Sequence, residues 1–205
     1  DLVRCPSEGY LEGVKKACEE TGTLLIFDEV QTGFGRTGRL FAYEHFDVAP
    51  DIMTLAKALG NGLPIGAMAA REDIAQAFQP GSHASTFGGT PVITAAALEV
   101  LRTIEREDLL SHCREVGRYF KDQLLALQKR HSLIAEVRGV GLMIGMTLTV
   151  EGMPVVEACM EKGFLINCTQ EKVLRFVPPL VITKAEVDAL IDCLDGIFEG
   201  IAAGP

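Results

Sequence analysis

The sequence predicts an α/β fold, because a helical pattern leads directly into an apolar strand. Five apolar residues recur at helical spacing, and Thr21-Gly22 ends that helix; the five are Tyr10, Leu11, Val14, Ala17 and Cys18. Residues 23–27 form a continuous apolar run bounded by acids, which we expect to be a fully buried strand. A helix followed by a fully buried strand is typical of α/β domains.

Two further apolar segments extend this pattern. Residues 52–56 and 65–70 are predicted strands, and the turn-rich segment 60–64 separates them. Pro91 then begins a helix rich in Ala and Leu. We therefore predict that residues 1–108 belong to a layered α/β domain.

The remaining residues, 109–205, are predicted to form a smaller α+β domain. A second amphipathic helix is marked by the apolar stripe Leu110, Cys113, Val116, Phe120, Leu124 and Leu127. It is followed by apolar segments at 142–148, 164–166 and 174–177 and by a helix near 154–162. Thr183 and Glu186 have the spacing of a capping box, which predicts a last helix with a buried stripe at Val187, Leu190, Ile191 and Leu194.

Composition excludes several functional classes. No apolar run approaches the ~18 residues of a membrane span, and no Lys/Arg cluster accompanies the net charge of −9, so neither a membrane nor a nucleic-acid partner is expected. The six cysteines contain no C-x-x-C pair, which favours buried thiols in a reducing cytoplasm. No metal site, signal peptide or lipidation motif is predicted. Because the chain begins at Asp1 without an initiator Met, we expect it to start within a longer sequence.

Asp28 follows the first predicted strand, where ligands of open parallel sheets gather. Side chains alternate along a strand, so Asp28 and Val30 are expected on one face and Glu29 on the other. A ligand would then meet one carboxylate and one apolar branch. The alternative is that Asp28 only caps the following turn.

Lys57 has an unusual setting among the lysines, because it follows an apolar strand and precedes a Gly-rich turn. We expect its amine to face a cavity, where desolvation favours the neutral, nucleophilic form. The alternative is a lysine that packs its stem on apolar surface and keeps its amine in water.

Three further segments carry candidate binding residues. Residues 33–38 match G-x-G-x-x-G, but the acids before them and the lack of a helical pattern after them argue against a dinucleotide site. Residues 82–90 combine hydroxyls and glycines before a helix, a composition suited to phosphate, with His83 either catalytic or bonded only locally. Arg175 lies within an apolar strand, where it would bind a carboxylate or form a structural ion pair.

Four segments in this order resemble the class III aminotransferases, and within that family most closely the acetylornithine aminotransferases. They are residues 24–38, 54–60, 85–89 and 173–180, which resemble the family's cofactor strand and loop, Schiff-base lysine segment, phosphate loop and substrate-carboxylate strand. The resemblance implies the cofactor pyridoxal 5'-phosphate (PLP). It also implies that residues 1–108 are part of the large PLP-binding domain of fold type I, with residues 109–205 as its small α+β C-terminal domain.

The resemblance further implies a role for each matched residue. Lys57 would bind PLP covalently and act as acid and base, and Asp28 would pair with the pyridine nitrogen. Val30 would pack on the ring and Gln31 would lie near its hydroxyl. The remaining matches are Ser85 and Thr86 in the phosphate loop, where Thr86 would reach the cofactor of the neighbouring subunit of a homodimer, and Arg175, which would bind a substrate carboxylate.

The resemblance leaves the substrate and the activity of the chain as separate questions. N-acetylornithine and 2-oxoglutarate are the expected substrates, with ornithine or 4-aminobutyrate as alternative amino donors. The match runs from about Tyr10 to the end, so the family's N-terminal half, with part of the cofactor site, has no counterpart here. A non-catalytic module that only dimerises is therefore a competing hypothesis.

Overall fold

The computed structural model describes residues 3–203, and this part of the chain divides into two compact units. One unit comprises residues 6–110, and the other comprises residues 3–5 together with 111–203. The division falls in the first turn of a helix. Residues 3–5 belong with the second unit, where Val3 is buried and its carbonyl accepts a hydrogen bond from Nε of Arg138 at 3.0 Å.

The first unit contains a three-stranded sheet. Its elements in chain order are α1 (Tyr10–Thr21), β1 (Ile26–Asp28), β2 (Ile52–Leu55), β3 (Ala67–Ala70), α2 (Glu72–Ala75) and α3 (Pro91–Arg106). Strand β2 lies in the middle, parallel to β1 and antiparallel to β3. Helix α1 ends at Gly22, whose left-handed backbone (φ 65°) lets its N–H bond the last carbonyls of the helix. The predicted helices at α1 and α3 and the strand at β2 are confirmed.

Strand β1 differs from its prediction. It spans three residues, and although Leu25 is buried, Leu24 is 47% and Ile26 is 55% exposed. The expectation of a fully buried strand was wrong because β1 lies at the edge of the sheet and, among residues 3–203, no strand pairs with its other side. Hydrophobicity alone does not distinguish a central strand from such an edge strand.

The second unit is an α+β arrangement around an antiparallel sheet. Its elements are α4 (Leu109–Arg130), β4 (Ile134–Val140), β5 (Met143–Leu148), α5 (Met153–Glu161), β6 (Asn167–Thr169), β7 (Val173–Phe176) and α6 (Lys184–Ala203). The strand order is β4-β5-β7-β6, and each neighbouring pair is antiparallel. Helices α4, α5 and α6 contribute to one hydrophobic core with the sheet, and its largest fully buried side chains include Phe120, Phe198, Leu124, Leu127 and Leu142.

The start of α6 confirms the predicted capping box. The backbone N–H of Thr183 donates to Oε2 of Glu186 at 2.8 Å, and the N–H of Glu186 donates to Oγ1 of Thr183 at 3.3 Å. The predicted stripe, Val187, Leu190, Ile191 and Leu194, is buried. The cap thus places the first turn, and the stripe directs the helix onto the core.

The sequence analysis did not predict strands β6 and β4 of the second unit. The apolar segment 164–166 precedes β6 and is not part of it, because the strand is defined by pairing with β7 at the next three residues. Strand β4, at the sheet edge, mixes charged and apolar residues over seven positions. Its apolar signal is weak because only one side of it packs on the core.

Three further findings concern residues 3–203 as a whole. No helix in this range combines the length and the apolarity needed to cross a membrane. Neither a disulfide nor a group of three His, Cys, Asp or Glu side chains arranged for a metal ion occurs within it.

Candidate functional site

The carboxyl ends of β1 and β2 bring two predicted site residues to one edge of the sheet. Asp28 is the last residue of β1 and is opposite Thr54 in the parallel register. Strand β2 ends at Leu55, and Lys57 begins a 3-10 turn just beyond it. The acid and the amine therefore follow neighbouring strands at the edge where ligands of parallel sheets bind.

The carboxylate of Asp28 is held by two donors. Oγ1 of Thr54 donates to its Oδ1 at 3.0 Å, and the backbone N–H of Val30 donates to the same oxygen at 3.1 Å. Among the described residues, no donor contacts Oδ2. Asp28 thus caps the following turn, as the alternative interpretation expected, and the residue remains exposed.

Glu29 has the opposite environment, as the alternation of side chains predicted. It is 2% exposed, and its Oε1 accepts the backbone N–H of Tyr43 at 2.9 Å while Oε2 accepts the hydroxyl of Thr32. Its carbonyl also accepts the N–H of Gly33 at 3.0 Å. Glu29 therefore anchors the loop that begins with Val30 and Gln31, both half-buried. The sequence analysis did not assign this anchoring role.

Lys57 is exposed, which corrects the expectation that its amine faces a cavity. Within the turn that Lys57 begins, Leu59 is the buried residue. Gly60 is required for the same turn, since a Cβ there would overlap the carbonyl of Leu63. Lys57 itself has a left-handed backbone (φ 47°), a strained conformation for a residue with a side chain and one that is common at functional sites.

The G-x-G-x-x-G segment does not lead into a phosphate-binding helix. After Gly38 the chain bends, and the next regular element is a single 3-10 turn, Ala42–His45. His45 packs back on this loop, with Nε2 3.0 Å from Oγ1 of Thr37. The helix into which a dinucleotide-binding G-x-G-x-x-G motif leads therefore does not follow Gly38.

The predicted phosphate loop borders a cavity of about 860 Å³ in the first unit. Ser85, His83 and Thr90 line this cavity, whereas Thr86 does not, although it is exposed nearby in the same loop. Oγ1 of Thr90 donates to the carbonyl of Phe87 at 2.7 Å just before α3 begins. His83 is exposed and packs edge-on against Phe78, with ring centroids 6.3 Å apart.

Arg175 lies in the second unit, in the middle of β7, and is half-buried. It lines a cavity of about 250 Å³. The other polar side chain that lines this cavity is Asn167 of β6, which the sequence analysis did not assign. The signal that identifies Asn167 is its pairing with Arg175 in the sheet, and that pairing is absent from the sequence pattern.

Comparison with known proteins gives the same family over almost the whole chain. Residues 3–198 match the family model for aminotransferase class-III. The chain is 49% identical over 199 residues to an acetylornithine aminotransferase of Methanocaldococcus jannaschii, covering 97% of this chain and 50% of that protein. It is 51% identical over 192 residues to the acetylornithine aminotransferase of Aquifex aeolicus, covering 94% and 49%. The chain thus spans about half the length of the curated relatives it matches.

Solved structures agree with this. An ornithine aminotransferase from Toxoplasma gondii is similar with a TM-score of 0.91 and 36% identity, covering 98% of this chain and 49% of that one. The acetylornithine aminotransferase of Elizabethkingia anophelis has a TM-score of 0.89 and 34% identity, covering 95% and 52%. Since the family model spans residues 3–198, the chain belongs to the class-III aminotransferase family.

Proposed function

We propose that this chain provides part of the active site of a PLP-dependent aminotransferase. The observation that carries the proposal is the placement of Asp28 and Lys57 after neighbouring parallel strands, with Thr54 and Val30 fixing one oxygen of Asp28. Residues 1–108 would belong to the large PLP-binding domain of fold type I, and residues 109–205 would form its small C-terminal domain.

The first unit offers groups that fit PLP. Oδ2 of Asp28 would accept a hydrogen bond from the protonated pyridine nitrogen, and Val30 and Gln31 follow Asp28 on the anchored loop. Ser85 and Thr86 would contribute hydroxyls to the phosphate. When bound, PLP supplies an electron sink for negative charge at the substrate carbon that bears the transferred amino group.

Lys57 would carry out the proton transfers of the reaction. Its amine would hold the cofactor covalently until the substrate amine displaces it. The freed amine of Lys57 would then move the proton between the substrate carbon and the cofactor carbon, as base and then as acid. Because Lys57 is exposed, its amine is accessible to the cofactor and to the substrate. Arg175 would bind a substrate carboxylate through its planar guanidinium.

The proposed substrates are N-acetylornithine and 2-oxoglutarate, giving N-acetylglutamate semialdehyde and glutamate, a step of arginine biosynthesis. The names of the relatives from Methanocaldococcus jannaschii and Aquifex aeolicus support this choice. Ornithine is the second candidate, because an ornithine aminotransferase is among the similar structures, and 4-aminobutyrate is the third. A cytoplasmic homodimer completes the proposal.

The test is the visible absorbance of the purified chain after PLP is added and the excess is removed. We expect an absorbance band that Lys57→Ala abolishes and that Lys129→Ala, which removes an exposed lysine of α4, leaves unchanged. A band of equal size in all three proteins would reflect nonspecific reaction with surface amines and would contradict the assignment of Lys57. The absence of any band would favour the non-catalytic module.

If the band is present, the amino donor is identified by adding each candidate with 2-oxoglutarate and measuring glutamate. We expect N-acetylornithine to be the fastest donor. A faster reaction with ornithine or 4-aminobutyrate would replace the proposed substrate and leave the roles of Lys57 and Asp28 in place.

A further inference from the structure

We propose that Asn167 is a second carboxylate-binding residue beside Arg175, and that the cavity they share binds the carboxylate of a small amino acid or 2-oxo acid. The inference deepens the proposed function and rests on it, because it assigns a further substrate-binding residue to the same reaction.

The register of the sheet places the two side chains together. Asn167 of β6 is directly opposite Arg175 of β7 in an antiparallel pair. Residues opposite each other in such a pair project from the same face, with Cβ atoms about 4.5–5.5 Å apart. Both side chains line the same cavity of about 250 Å³. A ligand held by Arg175 therefore lies within reach of the Asn167 amide.

The strand on the other side of β7 places a glycine beside Arg175. Gly145 of β5 is opposite Arg175, so the neighbouring position on the same face has no side chain. Arg175 thus lies between Asn167 on one strand and a glycine on the other.

The lining of the cavity indicates the chemistry of the ligand. Apart from Arg175 and Asn167, the residues that line it are apolar, with Phe176, Val177 and Ile182 among them. Leu165, at its border, is 88% exposed. One guanidinium and one neutral amide match a single carboxylate, because the guanidinium binds both oxygens and the amide N–H adds a hydrogen bond without further charge. The volume suits a ligand smaller than a drug-sized molecule.

The test is a chemical-shift titration of the whole chain with 2-oxoglutarate and, separately, glutamate, in the absence of PLP. We expect saturable shifts at Arg175 and Asn167. Asn167→Ala should weaken binding about tenfold, because a hydrogen bond to a charged group is lost. Asn167→Asp should weaken it further, because a second negative charge would lie beside the ligand carboxylate.

Arg118→Gln is the matched control, since it removes an exposed positive charge of the same unit outside the cavity. It should leave the dissociation constant within about twofold of the original chain. Asn167→Ser, which retains a shorter hydrogen-bond donor, should fall between the original chain and Asn167→Ala. Circular dichroism of each variant establishes that it is folded.

The proposal is overturned if the original chain shows no saturable shifts around Arg175, or if Asn167→Ala and Asn167→Asp both bind as tightly as the original chain. Either result differs from failure of the proposed function, which is measured separately by the Lys57-dependent absorbance band. Carboxylate binding without that band would support the proposed role of Asn167 and would contradict the proposed cofactor site at Lys57.

Discussion

Adjacent carboxylates at the end of β1 serve different purposes because successive side chains point to opposite faces of the strand. Asp28 is exposed, with one oxygen bonded by Thr54 and Val30. Glu29 is buried and holds the next loop through Tyr43. One acid is therefore exposed, while its neighbour fixes the backbone of the following loop.

A substitution at Thr54 tests whether its hydroxyl positions the carboxylate of Asp28. Thr54→Val keeps the shape of the side chain and removes the donor to Oδ1 of Asp28. We expect PLP to bind roughly three- to tenfold more weakly, as the loss of one hydrogen bond predicts. The measurement is an absorbance titration with PLP.

The control for Thr54→Val is Thr54→Ser, which keeps the hydroxyl and should bind PLP like the original chain. If Thr54→Ser lowers the affinity as much as Thr54→Val although it retains the hydroxyl, the hydrogen bond to Asp28 is not the cause of the loss.

Asp51 connects several elements of the first unit. Its Oδ2 accepts the backbone N–H of Leu25 at 2.7 Å, and Oδ1 accepts from Arg71 at 2.5 Å and from Lys15 at 3.4 Å. The Leu25 hydrogen bond is the main reason that the pKa of Asp51 lies below its ordinary value of 3.8, and Lys15 and Arg71 lower it further against the opposing effect of burial. The carboxylate thus joins α1, the segment entering β1 and the end of β3.

The lowered pKa of Asp51 predicts how stability depends on pH. The folded chain binds fewer protons at this group than the unfolded chain between the two pKa values, so its contribution is complete above pH 3.8 and is lost as the pH falls through the folded-state pKa. We expect Asp51→Asn to lower the free energy of unfolding by about 2 kcal/mol at neutral pH. Urea unfolding from pH 7 to pH 3 measures this, and the two proteins should converge toward the acidic end. A difference that stays constant over this range would contradict the role of the charge.

Helix α4 offers a matched pair of leucines for testing the core of the second unit. Leu124 is fully buried in the core, whereas the next residue, Leu125, is half-buried against it. Leu124→Ala should lower the free energy of unfolding by about 3 kcal/mol, because it leaves a cavity as well as losing apolar burial. Leu125→Ala should lower the free energy of unfolding by less than half as much, since solvent fills the space that the side chain leaves. Equal losses in urea unfolding would show that the two positions are packed alike.

At the scale of the whole molecule, the first unit exposes many large apolar side chains. They include Leu24, Ile26, Leu63, Met68, Phe78, Phe87, Val92 and Leu98, and Phe87 and Val92 are 80% and 74% exposed. Extensive exposed apolar surface marks interaction sites in soluble proteins. This surface supports the proposed homodimer, in which the phosphate loop and the start of α3 would be covered.

Sedimentation equilibrium tests the association. We expect a mass of twice 22.1 kDa at micromolar concentration. Val92→Asp should shift the equilibrium toward the single chain, because a carboxylate would be buried in the interface, and Glu99→Asp, on the same helix, should not. A mass of 22.1 kDa at all concentrations would contradict the homodimer.

The sequence by itself determined the helices, the α/β character and the identity of the strand-end residues. Helical periodicity, the capping box at Thr183 and the residues following β1 and β2 are local features, so neighbouring positions in the chain suffice to recognise them. Asp28, Lys57 and Arg175 were predicted in this way, and Asp28 and Lys57 lie at one edge of the sheet.

Only the tertiary structure decided the pairings across strands and the exposure of each element. Thr54 beside Asp28 and Asn167 beside Arg175 depend on register, which brings together residues distant in sequence. The exposure of β1 and Lys57 likewise depends on which neighbours the fold supplies. Propensity describes a residue and its near neighbours, whereas register and burial are set by the packing of the whole unit.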